Sequence, residues 1–228
     1  MTTGRAASTA ARIIWFAAVR KVQDHYFKKA KQENYPARSV YKLEEAQKRY
    51  GLLRPGDSVL DLGCQPGSWS LYAAKVVGVQ GLLVGVDLQA GRLASQTGGA
   101  RIHWLQDDIM APELAARLRE FRPLYRVVLS DIAPRTTGNK WVDQQHSLRL
   151  ARRTLEIARE FLVNGGNYFV KVFQGEDFTE FVKEVQDIFK VVKIVKPKSS
   201  RTESREVFVL GMGYIKPETL PGAAAMAG

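Results

Sequence analysis

Cysteine is nearly missing from this 228-residue chain: Cys64 stands alone, so neither an intrachain disulfide nor a cysteine-rich zinc site can form. His25, His103 and His146 have no ligand spacing with one another or with Cys64, so the pattern points to no bound metal. Long apolar runs are missing too. The stretch from Ile13 to Val19 falls far short of the ~20 residues a membrane span needs, is bracketed by Arg12 and Arg20-Lys21, and has no convincing cleavage site after it. These absences argue against a disulfide scaffold, a signal peptide and a helical membrane protein. They lead us to expect a cytoplasmic protein in a reducing compartment, with no membrane partner. Internal repeats are absent, and low complexity is confined to an Ala-rich end.

Positive charge, by contrast, is plentiful. Lys and Arg number 34 against 23 Asp and Glu, a net charge of +11. Residues 1–54 hold 12 basic and 4 acidic side chains, whereas residues 55–228 hold 22 and 19, so most of the surplus lies at one end. Such asymmetry fits a polyanionic partner, nucleic acid or an anionic membrane surface. With 45% hydrophobic and 25% charged residues, the rest fits one globular domain with a sizeable core. The expected division is a basic N-terminal helical extension over 1–54, a single domain over 55–215 and a flexible tail over 216–228.

Helical periodicity covers Ala11 to Lys31 and Arg38 to Tyr50, with Gly51 as a stop. From Asp57 onward, short apolar runs alternate with helical segments. Strands are expected at Ser58 to Leu62, Leu82 to Asp87, Ile102 to Gln106, Val127 to Ser130, Tyr168 to Phe173, Val191 to Val195 and Val207 to Gly211. Helices are expected at Ser68 to Val77, Pro112 to Glu120, Gln144 to Leu162 and Phe178 to Phe189. This alternation predicts an α/β fold with a seven-stranded, mostly parallel sheet and helices on both faces. No helix separates the last two strands, so the final one should return antiparallel.

In such a sheet, ligands bind beyond the carboxyl ends of the strands at the switch point. The segment Asp61-Leu62-Gly63-Cys64-Gln65-Pro66-Gly67-Ser68-Trp69 lies there. Gly63 and Gly67 allow a tight turn and a close ligand approach. Because position 65 is Gln, this is not the G-x-G-x-x-G spacing of a dinucleotide site, and Asp61 suits a ligand bearing an ammonium group. Asp87 ends the second strand, where a carboxylate can accept both ribose hydroxyls of an adenosine. Asp108 could accept from the adenine amino group. An adenosine with a charged amino-acid tail is S-adenosylmethionine.

Asp131 ends the fourth strand, Lys171 lies inside an apolar strand, and Glu206 opens the last strand. A lysine in a central strand must pair with a carboxylate or lose its proton. Desolvation favours the neutral form, whereas neighbouring acids pull the other way.

Arg38-Ser39-Val40-Tyr41-Lys42-Leu43, Asp61 to Trp69, Ser130 to Pro134, Phe169 to Gly175, and Ser199-Ser200-Arg201 through Val207 together resemble the FtsJ/RrmJ family. These are S-adenosylmethionine-dependent ribosomal-RNA 2′-O-ribose methyltransferases with a Rossmann-like fold, and the resemblance runs from about Tyr35 to Gly213. It implies a catalytic tetrad of Lys42, Asp131, Lys171 and Glu206; because desolvation and the like charge of Lys42 favour a neutral Lys171, that lysine is the expected general base. It also implies cofactor contacts at Gly63, Trp69, Asp87 and Asp108, with Asp131 bordering the methyl donor. The implied substrate is a uridine of large-subunit (23S) ribosomal RNA; transfer RNA is the alternative, and a monomer is a separate expectation. Phe208 stands where the family usually has tyrosine, so a hydroxyl contact to the substrate would be missing. RNA is expected along Arg20, Lys21, Lys28, Lys29, Lys31 and Arg38 on one side, and Lys193, Lys196, Lys198, Arg201 and Arg205 on the other. A NAD-dependent dehydrogenase lacks its third glycine here. A purely RNA-binding protein leaves Lys171, Asp131 and Glu206 unexplained.

Overall fold

The computed structural model describes residues 25–91, 93, 97–200 and 204–217. The expected helix from Ala11 is therefore seen only from residue 25, and residues 25–32 are helical. Arg20, Lys21, Arg201 and the tail from residue 218 onward lie outside the described residues.

Twelve further elements follow in chain order: α1 (Val40–Tyr50), β1 (Ser58–Leu62), α2 (Ser68–Val77), β2 (Leu82–Asp87), β3 (Arg101–Gln106), α3 (Leu114–Phe121), β4 (Tyr125–Ser130), α4 (Lys140–Phe161), β5 (Leu162–Phe173), α5 (Phe178–Gln186), β6 (Phe189–Val195) and β7 (Glu206–Tyr214). The seven strands form one sheet in the order β3-β2-β1-β4-β5-β7-β6. β7 runs antiparallel to both of its neighbours, and the remaining strand pairs are parallel. The expected architecture is therefore observed. The chain moves outward from β1 to β3 and then returns to lay β4 on the other side of β1, which puts the switch point between β1 and β4.

Strand alternation sorts the interior into two layers. Leu60, Leu62, Val128, Tyr168, Val170, Val207 and Val209 point into one, packed with Leu148, Leu155 and Phe161 of α4 and Phe181 of α5. Val59, Leu129, Phe169, Phe208 and Leu210 point into the other, packed with Leu43 of α1 and Trp69 and Ala73 of α2. Lys171 and Glu206 are two residues from Phe169 and Phe208, so the same parity turns them toward the face covered by α1. Trp69 stacks on Phe169 with centroids 5.5 Å apart, and Phe169 stacks on Phe208 at 4.9 Å. Each such pair contributes about 0.5–1.5 kcal/mol beyond its buried area.

Several boundaries differ from the sequence expectation. α4 starts four residues early, at Lys140, because the Asn139 side chain accepts from the N–H groups of Trp141 and Val142. α3 begins at Leu114, two residues after Pro112. β5 begins at Leu162, across Asn164-Gly165-Gly166, with a register shift against β4. Phe189, expected to end a helix, instead opens β6 and stacks on Tyr168 of the sheet at 5.9 Å. Among the described residues no helix is long and apolar enough to cross a membrane.

Candidate active site

Gly63 and Gly67 frame the turn between β1 and α2 with φ of 71° and 103°. A Cβ on Gly63 would lie 2.0 Å from Cγ1 of Ile132, and one on Gly67 would lie 2.6 Å from Cδ1 of Leu93. Glycine is thus favoured at both positions by conformation, and at Gly63 by the close approach of Ile132 as well. The turn opens onto a pocket of about 350 Å³, whose lining includes Gly63, Gln65, Asp87, Asp107, Asp108 and Asp131 with the apolar side chains of Leu88, Ile109 and Ile132. That volume falls in the range of about 300–1,000 Å³ usual for small-molecule sites. Asp87 is braced from behind, accepting from the Gln65 N–H at 3.1 Å and the Gln89 N–H at 2.9 Å. Asp108 is exposed and accepts from the Met110 N–H at 2.9 Å.

Three residues expected at this site do not line the pocket. Asp61 is buried behind it, with Oδ2 accepting from the Ser70 hydroxyl at 2.6 Å and Oδ1 left without a partner. Burial pushes its pKa up to about 7, against the Ser70 hydrogen bond and helped by the charges of Asp131 and Asp87. Gly67 shapes the turn. Trp69 is buried in the aromatic stack, its indole N–H donating to the Ser39 carbonyl at 2.8 Å. Phe208, where a hydroxyl contact to the substrate would be missing, is fully buried in the same stack, with its ring 5.5 Å from Lys42 Nζ.

Lys42, Asp131, Lys171 and Glu206 meet at the rim of this pocket, and Asp131 belongs to both groups. Lys42 Nζ is 2.7 Å from Glu206 Oε1 and 3.6 Å from Asp131 Oδ1. Lys171 Nζ is 3.0 Å from Asp131 Oδ1 and donates to the Asp131 backbone carbonyl at 2.6 Å. Asp131 Oδ1 sits between the two ammonium groups without a well-aligned hydrogen bond to either. Their side chains keep 17% exposure or less. Burial raises the Glu206 pKa, but the Lys42 charge and hydrogen bond, the Lys171 charge and the Ser200 hydroxyl outweigh it and hold the pKa below the usual glutamate value. The resting cluster therefore pairs two cations with two anions. Each lysine offers a donor, and in its neutral form a base, to a hydroxyl held above the pocket.

The residues that position this cluster have weaker sequence signals. Glu45, one helical turn beyond Lys42, accepts from the Lys198 N–H at 2.7 Å and the Ser199 N–H at 3.0 Å. Arg38 donates to the Ser199 carbonyl at 3.2 Å, and the Ser200 hydroxyl donates to Glu206 at 3.0 Å. Helix α1 thus delivers Lys42 and clamps the loop that steadies Glu206. The i, i+3 spacing of Lys42 and Glu45 is the signal for this face. Some of the expected docking cations serve as braces as well. Lys196 donates to the Ser204 and Glu206 carbonyls, Arg205 to the Lys140 carbonyl, and Lys29 lies 4.5 Å over the Tyr41 ring beside Glu33 and Glu44.

Comparison with known proteins identifies the family. Residues 35–214 match the model of the FtsJ-like methyltransferase family. A Desulfotalea psychrophila protein named ribosomal RNA large subunit methyltransferase E is 55% identical over 200 residues, covering 88% of this chain and all of that protein. One of the same name from Oleidesulfovibrio alaskensis is 46% identical, covering 86% of this chain and 94% of its own. A solved Plasmodium falciparum structure, described as a ribosomal RNA methyltransferase, superposes with a TM-score of 0.69 at 23% identity, covering 80% of this chain and all of that one, and so supports the fold. The chain is an enzyme of the FtsJ-like methyltransferase family.

Proposed function

We propose that this protein transfers the methyl group of S-adenosylmethionine to a ribose 2′-hydroxyl of large-subunit (23S) ribosomal RNA, on a uridine, acting as a monomer in the cytoplasm. The observation that carries the reading is the junction at Asp131: one carboxylate lines the 350 Å³ pocket and also lies 3.0 Å from a buried lysine. The donor set fits the cofactor. Asp87 suits ribose hydroxyls and Asp108 the adenine amino group, and the unpartnered Asp61 Oδ1 stands behind the glycine turn as an acceptor on the side expected for the ammonium group. When bound, S-adenosylmethionine supplies a methyl on a positively charged sulfur, an already activated leaving group.

The protein's task is then mainly placement. Lys42 and Glu206 orient the ribose from one side, and Asp131 holds Lys171 from the other. Lys171 Nζ takes the 2′-hydroxyl proton while the oxygen–carbon bond forms and the methyl–sulfur bond breaks, the bonding pair remaining on sulfur. Because Lys171 must be neutral to accept the proton, turnover should rise with pH through one ionisation. A flat profile would reduce Lys171 to a positioning role.

The basic region 1–54 and the cations around Lys193 and Lys198 supply phosphate contacts, which position RNA without reading its sequence. The relatives described above are named for large-subunit ribosomal RNA, which favours that substrate over transfer RNA. The test is to incubate the protein with labelled S-adenosylmethionine and unmodified large subunits, free ribosomal RNA or transfer RNA, and to map the labelled ribose. Label on a 23S uridine is expected; label on transfer RNA alone overturns the substrate assignment.

A further inference from the structure

The largest exposed aromatic among the described residues, Trp141, keeps 58% of its surface in solvent. The two other described tryptophans are held in place: Trp69 is buried in its stack, and Trp104 donates to the Leu93 carbonyl at 2.9 Å. Among the described residues the Trp141 indole makes no hydrogen bond and meets no other ring. An indole left in water at a fixed position forgoes the burial that stabilises most tryptophans.

Its position is tied to the catalytic cluster from two sides. Asp131 leads to it through the nine-residue stretch 131–139, which carries the exposed Arg135 and ends at the Asn139 cap, whose side chain accepts from the Trp141 backbone N–H at 3.0 Å. From the other side Arg205, next to Glu206, donates to the carbonyl of Lys140, the residue before Trp141, at 3.2 Å. Trp141 thus stands on the first turn of a 22-residue helix, directly after Lys140, whose carbonyl Arg205 holds. An exposed aromatic surface on a helix turn that also carries Lys140 and holds Arg205 is what an unstacked base and its flanking phosphates require.

We infer that Trp141 is the stacking platform for an unpaired base next to the methylated nucleotide. Stacking there holds the strand so that the target ribose reaches Lys42, Lys171 and Glu206. This rests on the RNA substrate proposed above and adds a specific contact to it.

The test uses the full-length protein and unmodified 23S ribosomal RNA as probe. Dissociation constants and KM for RNA are compared among wild type, Trp141→Phe, Trp141→Leu and Trp141→Ala. Alanine and leucine should weaken RNA binding about 5- to 150-fold, phenylalanine by only a few fold, and affinity for S-adenosylmethionine should stay at the wild-type value. Wild-type RNA affinity in Trp141→Ala overturns the platform. So does wild-type affinity in Trp141→Leu, which would mean apolar contact without stacking, as in a protein interface. Wild type that neither binds nor methylates the RNA overturns the substrate reading and the platform with it. Where wild type does both, any loss in the variants belongs to Trp141 alone.

Discussion

The catalytic quartet sets Lys42 and Lys171 against Asp131 and Glu206, whereas the adjoining pocket gathers Asp87, Asp107 and Asp108, with Asp61 behind them, and among the described residues its lining holds no lysine or arginine. The two regions share Asp131, yet their buried acids respond in opposite ways. Glu206 lies below its usual pKa because Lys42 is 2.7 Å away, and Asp61 rises to about 7 because burial is offset only by a serine hydroxyl. A site that must act on a neutral hydroxyl balances its own charges. In the pocket, apart from the shared Asp131, only Asp107 has a cationic partner among the described residues, Arg117 at 2.6 Å, and the other acids accept from backbone N–H groups or a serine hydroxyl.

The sharpest way to break that contrast is Lys171→Ala. It should lower the rate constant for methyl transfer by about 10²–10⁴-fold while the dissociation constant of S-adenosylmethionine changes little, as calorimetry would show. A large loss of cofactor affinity would mean that the two regions work as one. Next in size is Asp61→Asn. The folded pKa of Asp61 lies above its ordinary value of 3.8, so the folded state holds the proton longer and stability falls as pH rises from about 4 to about 7. The full cost, on the order of 4 kcal/mol, is present above that window. Urea unfolding at pH 5 and pH 8 should show Asn removing most of this slope; an unchanged slope would assign it to other groups.

Asp87→Ala should weaken S-adenosylmethionine binding about 10- to 150-fold, the loss expected for hydrogen bonds to a charged group, with turnover at saturating cofactor nearly retained. If saturating cofactor left turnover as low as in Lys171→Ala, Asp87 would belong to the chemistry rather than to binding.

How far the sequence reaches follows from the range of each signal. The Gly63 and Gly67 turn, the acids at strand ends and the lysine inside an apolar strand announce themselves locally, because strand parity and backbone conformation act over a few residues. Helix starts are harder: the Asn139 cap lies before any apolar periodicity, and α4 begins four residues sooner than that periodicity does. The order of β6 and β7 depends on contacts between residues such as Phe189 and Tyr214, which no local pattern encodes. Trp69 is a cofactor contact only by the family resemblance; its burial depends on Phe169 and Phe208, far away in sequence. Likewise, nothing local to Glu45 says that it will meet the N–H groups of Lys198 and Ser199.

That clamp gives the smallest of the expected effects and the finest division between the two regions. Glutamine at position 45 keeps one acceptor oxygen where the carboxylate has two, so one of the Lys198 and Ser199 N–H groups loses its partner, a loss of about 1 kcal/mol. The loop then holds Ser200 less firmly against Glu206, and Glu206 holds Lys42. Glu45→Gln should therefore lower kcat about 3- to 10-fold, with the KM for S-adenosylmethionine and the melting temperature nearly unchanged. Ser200→Ala should act in the same direction. The double variant should lose less than the product of the two, because both act through Glu206. Multiplicative losses would show that Glu45 and Ser200 reach the active site by separate routes, and a change in cofactor KM would place the clamp in the pocket instead of the quartet.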